Sequence, residues 1–459
     1  MQAPVRAALK AIVGDEHYRE TDGDLVPFSR DATPLFSARP DAVVFPADTR
    51  EVSAVLRLAT RHGVPVVPRG AGSNLCAATV ALRGGIVLTL TRLNRILEIA
   101  PAELLARVQP GATSAALADE AADHDLLWAP DPGSRTVATL GGTIATNAGG
   151  LRGLKYGVTR DYVLGLEAVL PTGEVVRTGG RLHKDVAGYD LTRLLTGSEG
   201  TLAVITEATL ALRPAPRSSG TGVAYFPDLA AAGRAVAAII AGGVLPATLE
   251  FLDRPCIDAV EAFAGLGLRA DAGALLLFGD DGEPEAVTHA LTRMGDACTT
   301  QGALEVTRAA HVAEADALLA ARRCALPALS RLGALTILED ATVPRPRIAE
   351  MVERIDEIAN RHDVTIATFG HAGDGNLHPT CMIGSREDTE SIVRAEHAFK
   401  DIFTTAVELG GTITGEHGVG AAKLPYLSAQ LGPEQMALLR RVKGAFDPAG
   451  ILNPGKLGS

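Results

Sequence analysis

The chain has 459 residues, of which 47% are hydrophobic and 21% charged, and carries a net charge of −11. That length calls for two or three domains, and that composition describes a folded protein, not a disordered one. The acidic balance excludes a nucleic-acid binder, which needs a basic face; an anionic substrate would need a local cluster of Arg, Lys, backbone N–H or metal. Five cysteines, at 76, 256, 298, 324 and 381, form no CxxC, so neither an iron–sulfur run nor a zinc ribbon is encoded. Their odd, sparse count fits a reducing compartment. Residues 1–17 have no apolar core and predict no signal peptide. The most hydrophobic window, 229–249, is broken by Arg234, Gly242, Gly243 and Pro246 and predicts no membrane span. A cytoplasmic protein is the expectation.

In chain order, residues 42–46 read as a strand, and Asp48 or Thr49 caps a helix running to about His62. Strands follow at 64–68 and 85–90. Residues 104–108 lead into Pro110-Gly111-Ala112-Thr113, which caps a helix from Ser114 to about His124. After a long Gly/Thr/Ala/Asn segment, 131–150, the strand pattern resumes at 164–170, 175–178 and 200–212. This irregular alternation predicts α+β with a mixed sheet. The run 213–220 is the best linker candidate. Beyond it, 222–226, 228–241 and 247–252 form one βαβ unit, and 274–279, 283–299 and 303–307 a second. Two such units in series predict a ferredoxin-like, four-stranded antiparallel sheet with helices on one face. The tail 446–456 is turn-rich yet apolar at its centre and is expected to pack back on the first domain. The expected division is 1–216, 217–430 and a C-terminal helix and tail, 431–459.

Three segments are rich in small residues. Pro68, Arg69, Gly70, Ala71, Gly72, Ser73 and Asn74 follow a strand, where successive N–H groups can point at a diphosphate as in an anion-binding nest; a tight turn is the bland alternative. A GxGxxG opening a helix is absent. The segment 131–150 holds Pro132, Gly133, Ser134, Thr139, Gly141, Gly142, Ala145, Thr146, Asn147, Gly149 and Gly150. It is too apolar for a disordered linker and too rich in glycine for an ordinary helix, so a backbone wrapped around a planar cofactor explains it better. A third turn, with Glu199 and Gly200, precedes a strand containing Ile205.

The densest chemistry lies in Gly370-His371-Ala372-Gly373-Asp374-Gly375-Asn376-Leu377-His378 and in Gly415-Glu416-His417-Gly418. Neutral imidazoles and a carboxylate are ligands of a divalent transition metal. A two-residue turn centred on Asp374-Gly375 would pair His371 directly with His378, on one face and with Cβ atoms about 5 Å apart. Asp374 reads as a turn former, and Asn376 as facing a cofactor or substrate. His417 stays open as a fourth ligand; its preferred role is general base, because an imidazole titrates near the operating pH. Arg322 and Arg323 lie on a helical stretch, 313–325.

Together these segments resemble the FAD-binding, PCMH-type domain of the vanillyl-alcohol-oxidase-like flavoproteins. The two C-terminal motifs with Leu452-Asn453-Pro454-Gly455-Lys456 resemble the branch that holds D-lactate dehydrogenases, the glycolate oxidase catalytic subunit and D-2-hydroxyglutarate dehydrogenases. The similarity runs over 40–456. It implies a two-part FAD-binding domain of mixed sheets and helices followed by a ferredoxin-like substrate domain. It implies that the 68–74 loop, the 132–150 segment, Glu199, Gly200, Ile205 and Asn453 bind FAD. Relatives that tether the flavin have histidine where this chain has Ser73, so the FAD is expected to be non-covalent. The resemblance assigns His371, His378 and Glu416 to Zn²⁺ or Mn²⁺, and a substrate-carboxylate grip to Arg322, with Arg323 the alternative.

The expected reaction is FAD- and metal-dependent oxidation of a D-2-hydroxy acid to the 2-oxo acid by hydride transfer to flavin N5, with His417 as base. In the family that the chain resembles, branches selecting a second carboxylate tend to place a basic residue just before the strand-end acid; none precedes Glu339-Asp340, so the resemblance implies D-lactate or glycolate over D-2-hydroxyglutarate, although Arg331 could supply a charge. Quinone, cytochrome, electron-transfer flavoprotein or oxygen is the acceptor, and a homodimer stays open. A non-oxidising transferase of the same fold is disfavoured by the histidine pair, and an accessory FAD-binding subunit by the presence of every metal motif.

Overall fold

The computed structural model describes residues 1–458, with Val312 defined by its backbone alone, and divides the chain into two units. Met1–Gly149, Val158–Ala215 and Glu416–Ser459 make the first; Gly150–Gly157 and Pro216–Gly415 make the second. Among the described residues no helix is long and apolar enough to cross a membrane.

In the first unit the helix Thr49–His62 starts where Asp48 accepts the N–H groups of Arg50 and Glu51, and stops at Gly63 in the left-handed region, φ 63°. Val52, Val55, Leu56 and Ala59 recur at helical spacing and are fully buried. They join one core with residues of the strands Ala42–Val44, Val66–Arg69 and Ile86–Thr89. These three strands run parallel, with Tyr18–Arg19 antiparallel at one edge. Each buried Val or Leu contributes about 1.5–3 kcal/mol. A second, five-stranded antiparallel sheet has the order Ile96–Ala100, Leu105–Val108, Val204–Ala211, Val163–Val169, Val175–Gly179.

One expectation is corrected. The segment 131–150 contains a real helix, Leu140–Thr146, capped by Thr139, whose hydroxyl accepts the Gly142 N–H. Gly141 is a packing requirement: a Cβ there would lie 2.5 Å from the Pro110 side chain. The 213–220 run holds the boundary between the two units, at Ala215 and Pro216, and it is paired on both sides: Arg213–Pro214 with Leu126–Leu127, and Ser218 with Gly282.

The C-terminal segment belongs to the first unit. Asn453 N–H donates to Val66 O and Val66 N–H to Ile451 O, so residues 451–453 lie along the edge of the parallel sheet. The buried Lys443 ammonium holds them there, donating to Thr201 O (2.7 Å), Leu452 O (2.7 Å) and Asp447.

In the second unit the strands Ser218–Phe226, Thr248–Asp253, Ala274–Gly282 and Glu305–Arg308 form the expected antiparallel sheet, in the ferredoxin-like order fourth, first, third, second. The helices Leu229–Ala241 and Pro284–Thr300 connect them. The sheet does not end at four strands. Thr248–Asp253 would be an open edge, and Thr365–His371 pairs onto it. Asn376–Ile383, Leu335–Leu338 and Ala341–Thr342 follow, making eight strands in all.

Candidate active site

His371 and Asn376 close the hairpin between the last two long strands, with Ala372–Gly375 as its loop. Gly375 takes φ 87°, its N–H reaches His371 O, and Asp374 Oδ1 accepts the Asn376 N–H, the turn-forming role expected of it. The register differs from expectation. His371 faces Asn376, and His378 faces Phe369. A slip of two leaves both histidines on the same side of the pleat, as diagonal neighbours. Their rings meet edge to face, with centroids 5.0 Å apart. Asn376 joins that side, buried, with Oδ1 accepting the Thr342 hydroxyl at 2.9 Å.

The neighbouring strand places Glu250 opposite His371. Its carboxylate is 1% exposed and accepts from His371 Nδ1 at 2.8 and 2.9 Å and from Arg322 Nε at 2.7 Å. Arg322 is buried on the helix Val312–Arg323, its guanidinium 4.6 Å from the centre of the Phe369 ring. Phe369 in turn lies 5.2 Å from the His378 ring. Arg322, Glu250, His371, His378 and Phe369 therefore form a closed circuit of contacts.

The loop carrying Glu416 and His417 is fixed at both ends by buried carboxylates. Asp340 accepts the Thr414 hydroxyl (2.9 Å) and the Gly415 N–H (2.8 Å). Glu199 accepts the N–H groups of Val419 (2.6 Å) and Gly420 (2.7 Å). Burial pushes the Glu199 carboxyl up, against the pull of those two N–H groups. Ligand atoms of His371, His378 and Glu416 all lie within 4.8 Å of one another. Two imidazoles and a carboxylate are a donor set that fits zinc or manganese.

Within the first unit the small-residue segments converge. Gly197 N–H donates to Ile144 O, and Glu199 N–H to Ala145 O. Asn453 Nδ2 donates to both Ala78 O (3.0 Å) and Glu199 O (2.8 Å). A Cβ at Gly70 would fall 2.1 Å from Thr139 Oγ1, so glycine is required where the 68–74 loop meets the helix cap. Asn74 folds that loop on itself, accepting the Ala78 N–H and donating to Thr79, while Arg69 is buried over Phe28. Gly70, Gly72, Ser73, Asn74, Gly141, Gly142, Ala145, Thr146 and Asn147 keep part of their surface exposed, and Ala71 more. Such an edge of small residues and backbone fits a close-lying cofactor.

Other expected residues are placed differently. Ile205 and Pro132 are buried, and the Glu199 side chain is taken up by the 419–420 backbone. Gly133 is exposed, Ser134 half-buried, and Gly200 buried beside Pro68. Gly149 is buried, where a Cβ would lie 2.9 Å from Glu416 Oε2, so the glycine run ends against the candidate ligand. Gly150 opens the short segment that joins the second unit, where Lys155 pairs with Asp280 and Asp281.

Residues 215–457 match the family described as FAD linked oxidases, C-terminal domain, and residues 40–179 match an FAD binding domain. The chain belongs to the FAD-linked oxidases. It is 49% identical to glycolate oxidase subunit GlcD of Bacillus subtilis (strain 168), over 99% of this chain and 96% of that one. It is 36% identical to D-lactate dehydrogenase of Anaerostipes hadrus, over 98% of this chain and 95% of that one. In fold it is similar to 4-ethylphenol oxidase from Gulosibacter chungangensis in its isoeugenol complex, with TM-score 0.82 and 19% identity over 99% and 96% of the two chains. This FAD-linked oxidase is thus an oxidoreductase, and its fold is the α+β, PCMH-type arrangement expected from the sequence.

Sequence reasoning missed Glu250 and the loop-holding roles of Asp340 and Glu199. The signal for Glu250 was present: an acid between Leu249 and Phe251, at an inward position of the strand Thr248–Asp253, needs a buried partner.

Proposed function

We propose that this oxidoreductase converts a small D-2-hydroxy acid, D-lactate or glycolate, to the 2-oxo acid, using non-covalent FAD and a divalent cation held by His371, His378 and Glu416. The cluster of three ligand atoms within 4.8 Å, in an FAD-linked oxidase, carries this reading. The names of the glycolate oxidase and D-lactate dehydrogenase relatives support the substrate class.

When bound, FAD supplies a hydride acceptor and the cation a Lewis acid that lowers the hydroxyl pKa. The remaining work falls to the chain. Arg322 offers its guanidinium to the substrate carboxylate, the residue type best shaped for that anion. Glu250 and Phe369 fix the plane of that guanidinium. His417 takes the α-hydroxyl proton on a ring nitrogen as the Cα hydride departs. Asn376, its oxygen engaged by Thr342, turns its amide nitrogen to the substrate as a donor. Burial of His371, His378 and Asn376 excludes water from the reacting atoms.

A small substrate is favoured. The strand Leu335–Leu338 itself contains no basic residue. Arg331 is exposed and lies over the Phe263 ring at 5.5 Å. Anaerobic mixing with D-lactate, glycolate, D-2-hydroxyglutarate and L-lactate, followed by flavin absorbance, tests the proposal. D-Lactate or glycolate is expected to bleach the flavin fastest; no bleaching by any D-hydroxy acid overturns it.

A further inference from the structure

His371 and Arg322 come from distant parts of the second unit, yet one buried carboxylate holds both. Glu250 Oε2 accepts from Arg322 Nε at 2.7 Å and from His371 Nδ1 at 2.9 Å, while Oε1 accepts from His371 Nδ1 at 2.8 Å. An ionised carboxylate accepts only, so both partners donate. Two consequences follow. The His371 ring proton is kept on Nδ1, which leaves the lone pair on Nε2, the atom suited to a cation. The Arg322 guanidinium is held by Nε, which leaves the Nη groups as its free fork; among the described residues no hydrogen bond to them is formed. Phe369, stacked beneath Arg322 and beside His378, closes the circuit. The strand pairing of Glu250 with His371 sets this geometry before any ligand arrives.

We propose that Glu250 is the positioning residue of the site, orienting His371 toward the cation and Arg322 toward the substrate carboxylate at once. This rests on the functional reading above. Its signature is joint: one substitution weakens both cation binding and substrate binding. Ordinary structural damage would instead lower FAD content and thermal stability first.

The test uses the FAD-bound protein and Glu250→Gln, which keeps the shape and removes the charge and one acceptor. Zinc affinity is measured by competition with a chelator, and KM and kcat for D-lactate are measured alongside. Glu250→Gln is expected to bind zinc about 10–100-fold more weakly, the usual effect of removing a carboxylate behind a ligating histidine. KM is expected to rise by a larger factor than kcat falls, with FAD content unchanged. Arg322→Lys separates the two arms: KM rises while zinc affinity stays within about twofold. If Glu250→Gln does not fold, Glu250→Asp, which draws the charge back by one methylene, is expected to show the same joint weakening. Unchanged zinc affinity or unchanged KM in the folded Glu250 variant overturns the proposal. Failure of the functional reading looks different: the wild-type protein itself then shows no flavin bleaching by any hydroxy acid, whereas the zinc titration still decides the His371 arm.

Discussion

His371 and His378 meet edge to face, ring centroids 5.0 Å apart, although the strand ladder pairs neither with the other. An even slip of register conserves the face of every side chain, so the diagonal brings the imidazoles together as the direct pairing would have done. The slip also brings Asn376 opposite His371. His371→Ala and His378→Ala are each expected to lower zinc or manganese affinity by at least roughly 100-fold, more than loss of a supporting group does. FAD retention is expected to be unchanged, since neither histidine belongs to the small-residue cradle. Metal analysis after dialysis and the flavin spectrum check both; a full equivalent of cation in either variant contradicts the assignment.

His417→Ala is expected to keep both FAD and cation and to slow flavin reduction by about 10²–10⁴-fold, the span of general-base catalysis. Its loop is held by Asp340 and Glu199 through backbone groups at 415, 419 and 420. Stopped-flow reduction measures the loss. Reduction at the wild-type rate would assign the base to another residue.

Asp253 gives stability a pH dependence. Burial pushes its carboxyl up to about 7, against the N–H groups of Thr368 and Cys256. Its folded pKa therefore lies above the ordinary carboxylate value of about 3.9. Between those values the folded state holds a proton that the unfolded state lacks, so this group's contribution falls as pH rises through the window and is level above it. Asp253→Asn removes the titration. Urea denaturation at about pH 5 and pH 7.5 is expected to show the variant gaining on wild type at the higher pH. Parallel pH profiles would contradict it.

The buried pair of Lys443 with Asp447 ties the C-terminal segment to Thr201 and Leu452. Lys443→Met leaves the buried Asp447 carboxylate without its cation and is expected to cost about 3–5 kcal/mol. Residues 451–453 lie on the sheet edge, and Asn453 bonds to the small-residue segments proposed to hold FAD, so flavin release is expected at a lower urea concentration than in wild type. Coincident release in both proteins would contradict that coupling.

Much of the fold was legible where a local signal suffices. Asp48 and Asp228 each mark a helix start by capping, and each capped helix was found. The helix Leu140–Thr146 was hidden because Gly141 answers to Pro110, a distant neighbour in the sequence, not to helix propensity. The extension of the ferredoxin-like sheet was hidden for a similar reason: pairing of Thr248–Asp253 with Thr365–His371 is not written in either strand alone. In the site, the glycines beside His371 and Glu416, and Gly373 and Gly375 between the two histidines, made those residues stand out. Glu250 looks like ordinary strand alternation, and its partners lie 72 and 121 residues away.

A cation at His371, His378 and Glu416 is proposed to prepare the hydroxy acid for oxidation. Anaerobic flavin reduction by D-lactate, measured before chelation, after complete cation removal and after adding back one equivalent of zinc or manganese, tests it most directly. Reduction is expected to collapse on removal and to return on addition, with FAD bound throughout. Bleaching at an undiminished rate in cation-free protein would contradict it.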